Sequence, residues 1–273
     1  LATSSAASDV YKRQVLVLSA VLLGALIGSA FALKVKMTSI PEMVALFNGF
    51  GGLSSFFLAW SEFNNLSAIS LIMILSFMTV LIGGITFSGS VVAFFKLSEI
   101  LKGNNNFLNK ASRWFLIFSF LFVIIAVIQV IAGGLGYEFI DLALIQKIFI
   151  ALLIISLFAG LAFVLPIGGG DMPVVISLLN SFSGIAAASA GVLLTNTALI
   201  VAGCLVGASG LVLTLIMAKS MNRTLYNIFF VGYESSGSSA AEIDGEIKPI
   251  SAEDAYLVVE AARSILIAVS YTH

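Results

Sequence analysis

The sequence predicts an all-α polytopic membrane protein, a bundle of about seven transmembrane helices followed by a cytosolic segment. The 273 residues are 60% hydrophobic and only 10% charged, with a mean hydropathy of +1.12, whereas soluble domains are about a quarter charged. The apolar stretches also lack the alternation of barrel strands. Because lipid offers backbone groups no hydrogen-bond partner, each stretch is expected to be a helix, and a crossing needs about 20 residues.

Seven apolar windows are long enough to cross a bilayer. They are Val15–Leu33, Pro41–Trp60, Leu66–Leu97, Trp114–Leu135, Ile145–Leu165, Met172–Leu193 and Ala198–Ala218. The third window exceeds one straight crossing, since a helix rises about 1.5 Å per residue. We therefore expect it to protrude from the membrane or to bend near Gly83 and Gly84.

The basic residues indicate the orientation of the bundle. With seven crossings, one side carries Lys34, Lys36, Lys96, Lys102, Lys110, Arg113, Lys219 and Arg223. The opposite side carries Lys147 alone, once Lys12 and Arg13 are set aside. The positive-inside rule makes the lysine-rich side cytoplasmic, supports an odd number of spans, and predicts a cytoplasmic C-terminus.

Four segments are predicted along the chain. Residues 1–14 are polar and place Lys12 and Arg13 against the charge rule, so we expect non-native or truncated sequence there. Residues 15–228 form the transmembrane domain, and the Gly/Ser-rich, acidic residues 229–250 form a cytosolic linker. Residues 251–273 read as the truncated start of an α/β domain, opened by the Ser251-x-x-Asp254 helix signal and closed by foreign residues.

Two kinds of site chemistry are excluded by composition. Cys204 is the only cysteine, so an intrachain disulfide and the cysteine-based metal signatures are ruled out. His273 is the only histidine and is the last residue, which rules out imidazole chemistry inside the membrane for this chain. We expect no metal site and no nucleic-acid partner.

Small and polar residues recur at helical spacing in four of the windows. The stripes are Asn48, Gly52 and Ser55; Thr79, Gly83, Thr86 and Ser90; Ser177, Asn180, Ser181 and Gly184; and Gly203, Gly207, Gly210 and Thr214. A polar atom in hydrocarbon is costly unless partnered, so these faces are expected to share a common interior. The fourth and fifth windows are nearly free of polar residues and are expected to be peripheral.

Two interpretations of the stripes stay open. Small residues let helix backbones approach closely, and Gly203 with Gly207 fits the small-xxx-small pattern. Asn48 and Asn180 differ, because each lies about two turns inside a span and a carboxamide has four hydrogen-bonding positions to satisfy. They either form structural interhelical bonds or border a hydrated path.

Asp171 precedes the sixth window, next to Pro173 and after Gly168–Gly170. The carboxylate can cap the helix and interact with the positive end of its dipole, and proline suits the first turn. The three glycines give the backbone freedom to move or let another surface come close.

Several stretches together resemble a known family. They are GGGDMPVVISLLNSFSGIAAASAG, VGASGLVLTLIMAKSMNRTLYNIFF, MTSIPEMVALFNGFGGLSS and GGITFSGSVVAFFKL. In order and spacing they resemble the beta subunit of proton-translocating NAD(P)+ transhydrogenase over about residues 15–268. The resemblance implies a bacterial inner-membrane subunit that conducts protons inward and carries a cytosolic NADP(H) domain. It also implies a partner alpha subunit that binds NAD(H), and a dimer of alpha-beta units.

The resemblance also implies roles for individual residues. Asn180 and Ser90 match channel residues, and Asn48 falls where several members carry a histidine thought to take up the proton. Asparagine cannot titrate near neutral pH, so either water relays the proton past Asn48 or the partner supplies a titrating group. Asp171, Lys219 and Arg223 match the cytoplasmic mouth, where the last helix meets the NADP(H) domain.

The chain departs from the family pattern at its end. Members continue from a run like ARSILI into a Gly-x-Gly turn that cradles the dinucleotide pyrophosphate. AVSYTH stands there instead, so the chain as given is expected to bind no NADP(H) and to have no catalytic residues. A secondary transporter or ion channel using the same polar helices is the alternative function, although the spans show no inverted repeat and no central charge. A third alternative is that the chain is a purely structural membrane scaffold.

Overall fold

A computed structural model describes residues 2–65, 72–101, 106–135, 141–231 and 251–261. These residues form eight α-helices: α1 (Ala2–Lys34), α2 (Ile40–Asn64), α3 (Ile72–Leu97), α4 (Asn106–Gly134), α5 (Leu142–Val164), α6 (Met172–Leu193), α7 (Thr197–Ser220) and α8 (Ala252–Ala261). Short 3₁₀ turns, Met37–Ser39 and Gly169–Asp171, precede α2 and α6, and a π-helical turn, Asn227–Val231, follows α7. The described residues contain no strand.

Seven of the helices are long and apolar enough to cross a membrane, which confirms the predicted fold class. α3 has 26 residues, or about 39 Å at the helical rise, so it is longer than the roughly 30 Å hydrocarbon core. It continues through Gly83 and Gly84 as one helix. Residues 66–71, the start of the predicted third window, lie outside the described residues.

α3 is the central helix of the bundle. It packs against α2, α5 and α6, while α2 also touches α6, α4 packs on α5, and α7 packs along α6. In its apolar window α3 has 56% of its residues buried, whereas α1 has none buried between Gln14 and Lys34. α2, α3 and α6 are therefore in mutual contact, and α1 stands apart.

Glycines form the closest of these helix contacts. A Cβ at Gly52 would lie 2.8 Å from the carbonyl oxygen of Gly83, and one at Gly184 would lie 2.2 Å from the amide nitrogen of Gly207. One at Gly203 would lie 2.4 Å from the amide nitrogen of Ala188. At these positions the close-packing interpretation is confirmed, because backbone meets backbone.

Two expectations about which helices share the interior are wrong. α5 was expected to be peripheral, but its Gly160 packs against Ser88 of α3 and its buried Ser156 packs against Gly84. Small residues on both helices allow this approach. The glycine stripe of α7 does not share the interior of α2 and α3, since it lies against α6, with Gly210 next to the backbone of Ser181.

The two ends of the bundle are closed by apolar clusters. At one end the rings of Phe63 and Phe149 stack at 3.8 Å between centroids, with Phe77 beside them. At the other end a second cluster includes Val92 of α3, Val164 of α5, Ile167 after α5, and Met172 and Leu179 of α6. Lys96 and Asp171 lie at this second end. Lys96 follows Ala93 by three residues and contacts the carbonyl of Val164, and Asp171 directly precedes Met172.

Outside the bundle, α8 begins as the sequence predicts. The Ser251 hydroxyl donates to the Asp254 carboxylate at 2.7 Å, and the Asp254 amide donates to the Ser251 oxygen at 3.1 Å. Most of the predicted linker, residues 232–250, and the apolar run after α8 lie outside the described residues.

Gly184→Ala is expected to weaken the α6–α7 contact, because its Cβ would lie 2.2 Å from the Gly207 nitrogen. Overpacking of this kind costs about 1–3 kcal/mol. Gly28→Ala is the control, since no atom lies within 4 Å of its Cβ and alanine favours a helix by up to about 1 kcal/mol. Thermal unfolding in detergent measures both. Equal melting temperatures for the two variants would contradict the close contact.

Candidate functional site

The Asn48 side chain joins three helices. Its Nδ2 donates to Ser90 Oγ at 3.0 Å, and its Oδ1 accepts from the Ser183 hydroxyl. Ser90 is fully buried in α3, and Asn48 in α2 and Ser183 in α6 are half-buried. Of the two amides singled out in the sequence, Asn48 is thus the one in an interhelical network, and Ser90 is its partner.

Ser183 was missed by the sequence analysis. The stripe chosen on α6 was the one that includes Ser177, Asn180, Ser181 and Gly184. Ser183 lies three residues after Asn180, and residues at that spacing are neighbours on a helix surface. The spacing was therefore a usable signal, but the sequence alone could not show which side of α6 faces Asn48.

Asn180 lies outside this network. The structure gives its carboxamide no hydrogen bond to any described residue, and the side chain is half-buried. It is one turn from Ser183, so the two residues lie on neighbouring positions of α6. Asn180 therefore lies close to the Asn48 network, one turn from Ser183 on α6, but it makes no hydrogen bond to Asn48 or Ser183. The Asn180 amide keeps its donors and acceptor open to water or to another polypeptide.

The other polar residues of the stripes have structural partners. Ser181 Oγ donates to the carbonyl of Gly207 at 2.7 Å and ties α6 to α7. The remaining hydroxyls bond within their own helices, each to a carbonyl three or four residues earlier: Ser55, Thr79, Thr86, Ser177 and Thr214. These bonds satisfy the hydroxyls without a ligand.

Asp171 and Arg223 form an ion pair at the end of the bundle. Arg223 Nη1 donates to Asp171 Oδ2 at 2.9 Å, and the side chains are 52% and 13% exposed respectively. The carboxylate makes no capping bond to α6, so the expectation of a side-chain cap is wrong. Its oxygen is engaged by the guanidinium instead. Pro173 occupies the first turn of α6, as predicted.

Lys219 lies beside this pair but not in it. It is exposed in the last turn of α7 and forms no ion pair within the described part of the chain. A cavity of about 350 Å³ adjoins it, lined by Leu215, Ala218, Lys219, Asn222, Arg223, Thr224 and Leu225. Lys219 and Arg223 both line this cavity, and Arg223 contacts Asp171. Asp171, Lys219 and Arg223 are here called the mouth.

The glycine loop and Lys96 complete this end of the bundle. Gly168–Gly170 is exposed, and a Cβ at any of the three would meet no atom within 4 Å. No part of the described chain therefore requires their lack of a side chain. Before the loop, the Lys96 ammonium donates to the carbonyls of Leu165 and Ile167, and to that of Val164 at 3.4 Å. From the sequence, Lys96 stands out only as one of the positive charges of the lysine-rich side.

The described residues contain no group of three or more His, Cys, Asp or Glu side chains that could hold a metal ion. The position of the family's Gly-x-Gly turn falls after residue 261, outside the described residues. Within the described part, the polar chemistry is therefore the amide and hydroxyl network of Asn48 and the charged mouth.

Asn48→Ala is expected to destabilise the bundle by about 1–2 kcal/mol, because it removes two side-chain bonds and each is worth roughly 0.5–1.5 kcal/mol. Ser54→Ala, also on α2, is the control, since Ser54 is exposed and bonds only to the carbonyl of Phe50. Chemical unfolding in mixed micelles measures both. If Asn48→Ala unfolds no more readily than Ser54→Ala, the amide does not hold the helices together.

Comparison with known proteins identifies the family of the chain. The model of the family described as NAD(P) transhydrogenase beta subunit matches residues 1–272. The chain is 34% identical over 265 residues to NAD(P) transhydrogenase subunit beta of Rhodospirillum rubrum, covering 92% of this chain and 55% of the relative. A second subunit beta sequence from that organism aligns with the same figures. The chain spans about half the length of these relatives, and it belongs to the NAD(P) transhydrogenase beta subunit family.

Proposed function

We propose that the chain forms the proton-conducting membrane part of a proton-translocating NAD(P)+ transhydrogenase. Protons would enter the cytoplasm down their gradient while hydride passes from NADH to NADP+. Family membership and seven apolar helices support a membrane subunit of such an enzyme. The observation that supports the proton role is the polar network around Asn48. The nearby amide of Asn180 forms no hydrogen bond to a described residue and is therefore available to water.

Four polar residues are suited to relay a proton through water. They are Asn180, Ser183, Asn48 and Ser90, and they are here called the polar strip. Hydroxyl and carboxamide groups both donate and accept hydrogen bonds, so they can reorient around a passing proton. None of them titrates near neutral pH. The strip therefore orients water rather than storing a proton, and a titrating group would come from the partner subunit.

The mouth is proposed to control water access to the strip. Asp171 immediately precedes α6, which carries Asn180 and Ser183, and Arg223 follows α7, which packs along α6. Breaking the Asp171–Arg223 pair would release both helix ends together. A coupled change of this kind requires two states whose relative free energy depends on the bound nucleotide, typically by 1–3 kcal/mol.

The nucleotide sites and partners lie outside the described bundle. In this proposal the complete subunit binds NADP(H) in a domain after the linker, and an alpha subunit binds NAD(H). Two alpha-beta units would form the assembly. The lysine-rich end, with Lys96, Lys219 and Arg223, would face the cytoplasm of a bacterial inner membrane, in accord with the positive-inside rule.

Asn180→Ala in the complete subunit, assembled with its alpha subunit in proteoliposomes, is expected to lower proton-coupled reduction of NADP+ by NADH. A loss of tenfold corresponds to about 1.4 kcal/mol of barrier, and we expect at least that. Assembly should be unaffected, because the amide has no partner among the described residues to lose.

Asn196→Ala is the matched control. Asn196 Oδ1 accepts from the Leu199 amide and caps α7 at the other end of the helix from Arg223. That change should lower stability and leave the coupled rate per assembled enzyme intact. Equal coupled rates in Asn180→Ala and the wild type would remove Asn180 from the proton path. Nucleotide-independent solute uptake into liposomes would favour the transporter instead.

A further inference from the structure

Lys96 is a half-buried cation that the proposed mechanism leaves without a role. It lies in the last turn of α3, and its ammonium donates to three carbonyls where α5 ends, those of Val164, Leu165 and Ile167. It forms no ion pair with any described residue. The charge is therefore balanced by carbonyl dipoles of another helix, whose C-terminal end attracts cations.

Two of these carbonyls, those of Leu165 and Ile167, depend on the lysine. The last carbonyls of a helix have no partner inside it. Val164 oxygen also accepts from the Ile167 amide at 3.1 Å, but no backbone amide among the described residues donates to Leu165 or Ile167 oxygen. An ammonium has three donors on a compact centre, so one side chain can bind all three carbonyls. Removing it would leave two carbonyls in this part of the chain without a protein donor.

The segment held by Lys96 leads directly to Asp171. Ile167 is 1% exposed and is the last anchored residue before Gly168–Gly170, whose surroundings are open. The next buried residue is Met172, at 0% exposure. Asp171 therefore lies at the end of a short glycine loop, and the position where that loop begins is set by the contact with α3.

We propose that Lys96 is a positioning residue for the Asp171–Arg223 pair, holding the α5–α6 junction so that the carboxylate meets the guanidinium. The proposal rests on the role given to the mouth above. It also connects the two parts of the site, because α3 carries both Lys96 and Ser90, the partner of Asn48. Movement of α3 would then alter the polar strip and the mouth together.

A distance measurement tests the positioning without relying on catalysis. In the complete enzyme with Cys204→Ser, spin labels would be attached at Gly169→Cys and Asn222→Cys. Position 169 has open space for a label, and Asn222 is exposed. Lys96→Met, which keeps length but removes the charge and donors, should broaden or shift the distance distribution. Lys96→Arg, which keeps both, should leave it close to that of wild type. A distribution unchanged in Lys96→Met would overturn the proposal.

A double-mutant cycle on the coupled rate tests the route through Asp171. Lys96→Met should lower proton-coupled NADP+ reduction about fivefold or more, a change of roughly one kcal/mol in barrier, and Lys96→Arg should restore most of it. In an Asp171→Asn background the same change should have little further effect, since interacting sites are not additive. Equal fold-losses in both backgrounds would show a merely structural lysine and overturn the proposal.

Different results would overturn the role proposed for the mouth and the role proposed for Lys96. Asp171→Asn at the wild-type coupled rate would overturn the role of the mouth, whatever the spin labels report. If Lys96→Met does not assemble, as judged by size-exclusion chromatography, Lys96→Gln takes its place in both experiments. It keeps an amide donor without the charge, and it should give a smaller effect in the same direction. A wild-type distance distribution and rate in Lys96→Gln would count against the proposal.

Discussion

Polar atoms placed in hydrocarbon must find partners in other helices or in water, and this constraint organises the whole bundle. Asn48 meets it by binding Ser90 and Ser183, so that α2, α3 and α6 are tied at one level of the membrane. Ser181 meets it by binding the Gly207 carbonyl. Asn180 does not meet it within the described chain. That difference separates Asn48 and Ser181, which hold helices together, from Asn180, whose amide is left to interact with water or with a partner.

The glycine contacts make these bonds possible. Hydroxyl and amide side chains are short, so they reach a neighbouring helix only where the backbones are close. Gly52 and Gly83 bring α2 onto α3 next to the Asn48–Ser90 bond, and Gly184 and Gly207 bring α6 onto α7 next to the Ser181 bond. The end of the bundle that carries the charged residues is different. There Gly168–Gly170 has open surroundings, and the chain is held by Lys96 and by the Asp171–Arg223 pair. The bundle is therefore closely packed inside and dependent on charges at one end.

Sequence predicted the fold well, because apolar length and helical spacing are properties of single segments. The seven spans, the burial of the glycine stripes, the Ser251 cap and the grouping of Asp171 with Arg223 were all accessible in this way. The predictions that were wrong are those that depend on which helix faces are in contact. α5 was expected at the periphery and packs on α3, and the α7 stripe was expected in the common interior and packs on α6. Ser183 and the contacts of Lys96 were missed for the same reason, since their partners are 135 and about 70 residues away in the chain.

Water access at Asn180 tests the central claim most directly, because the claim is that the polar strip is hydrated inside the membrane. Single cysteines at Asn180 and, as a lipid-facing control, at the exposed Val201 would be placed in a Cys204→Ser background. A charged, membrane-impermeant thiol reagent would be applied to the complete enzyme in vesicles. The account predicts modification at position 180, at a rate that changes between NADP+ and NADPH, and none at position 201. Position 180 as unreactive as position 201 in both nucleotide states would contradict it.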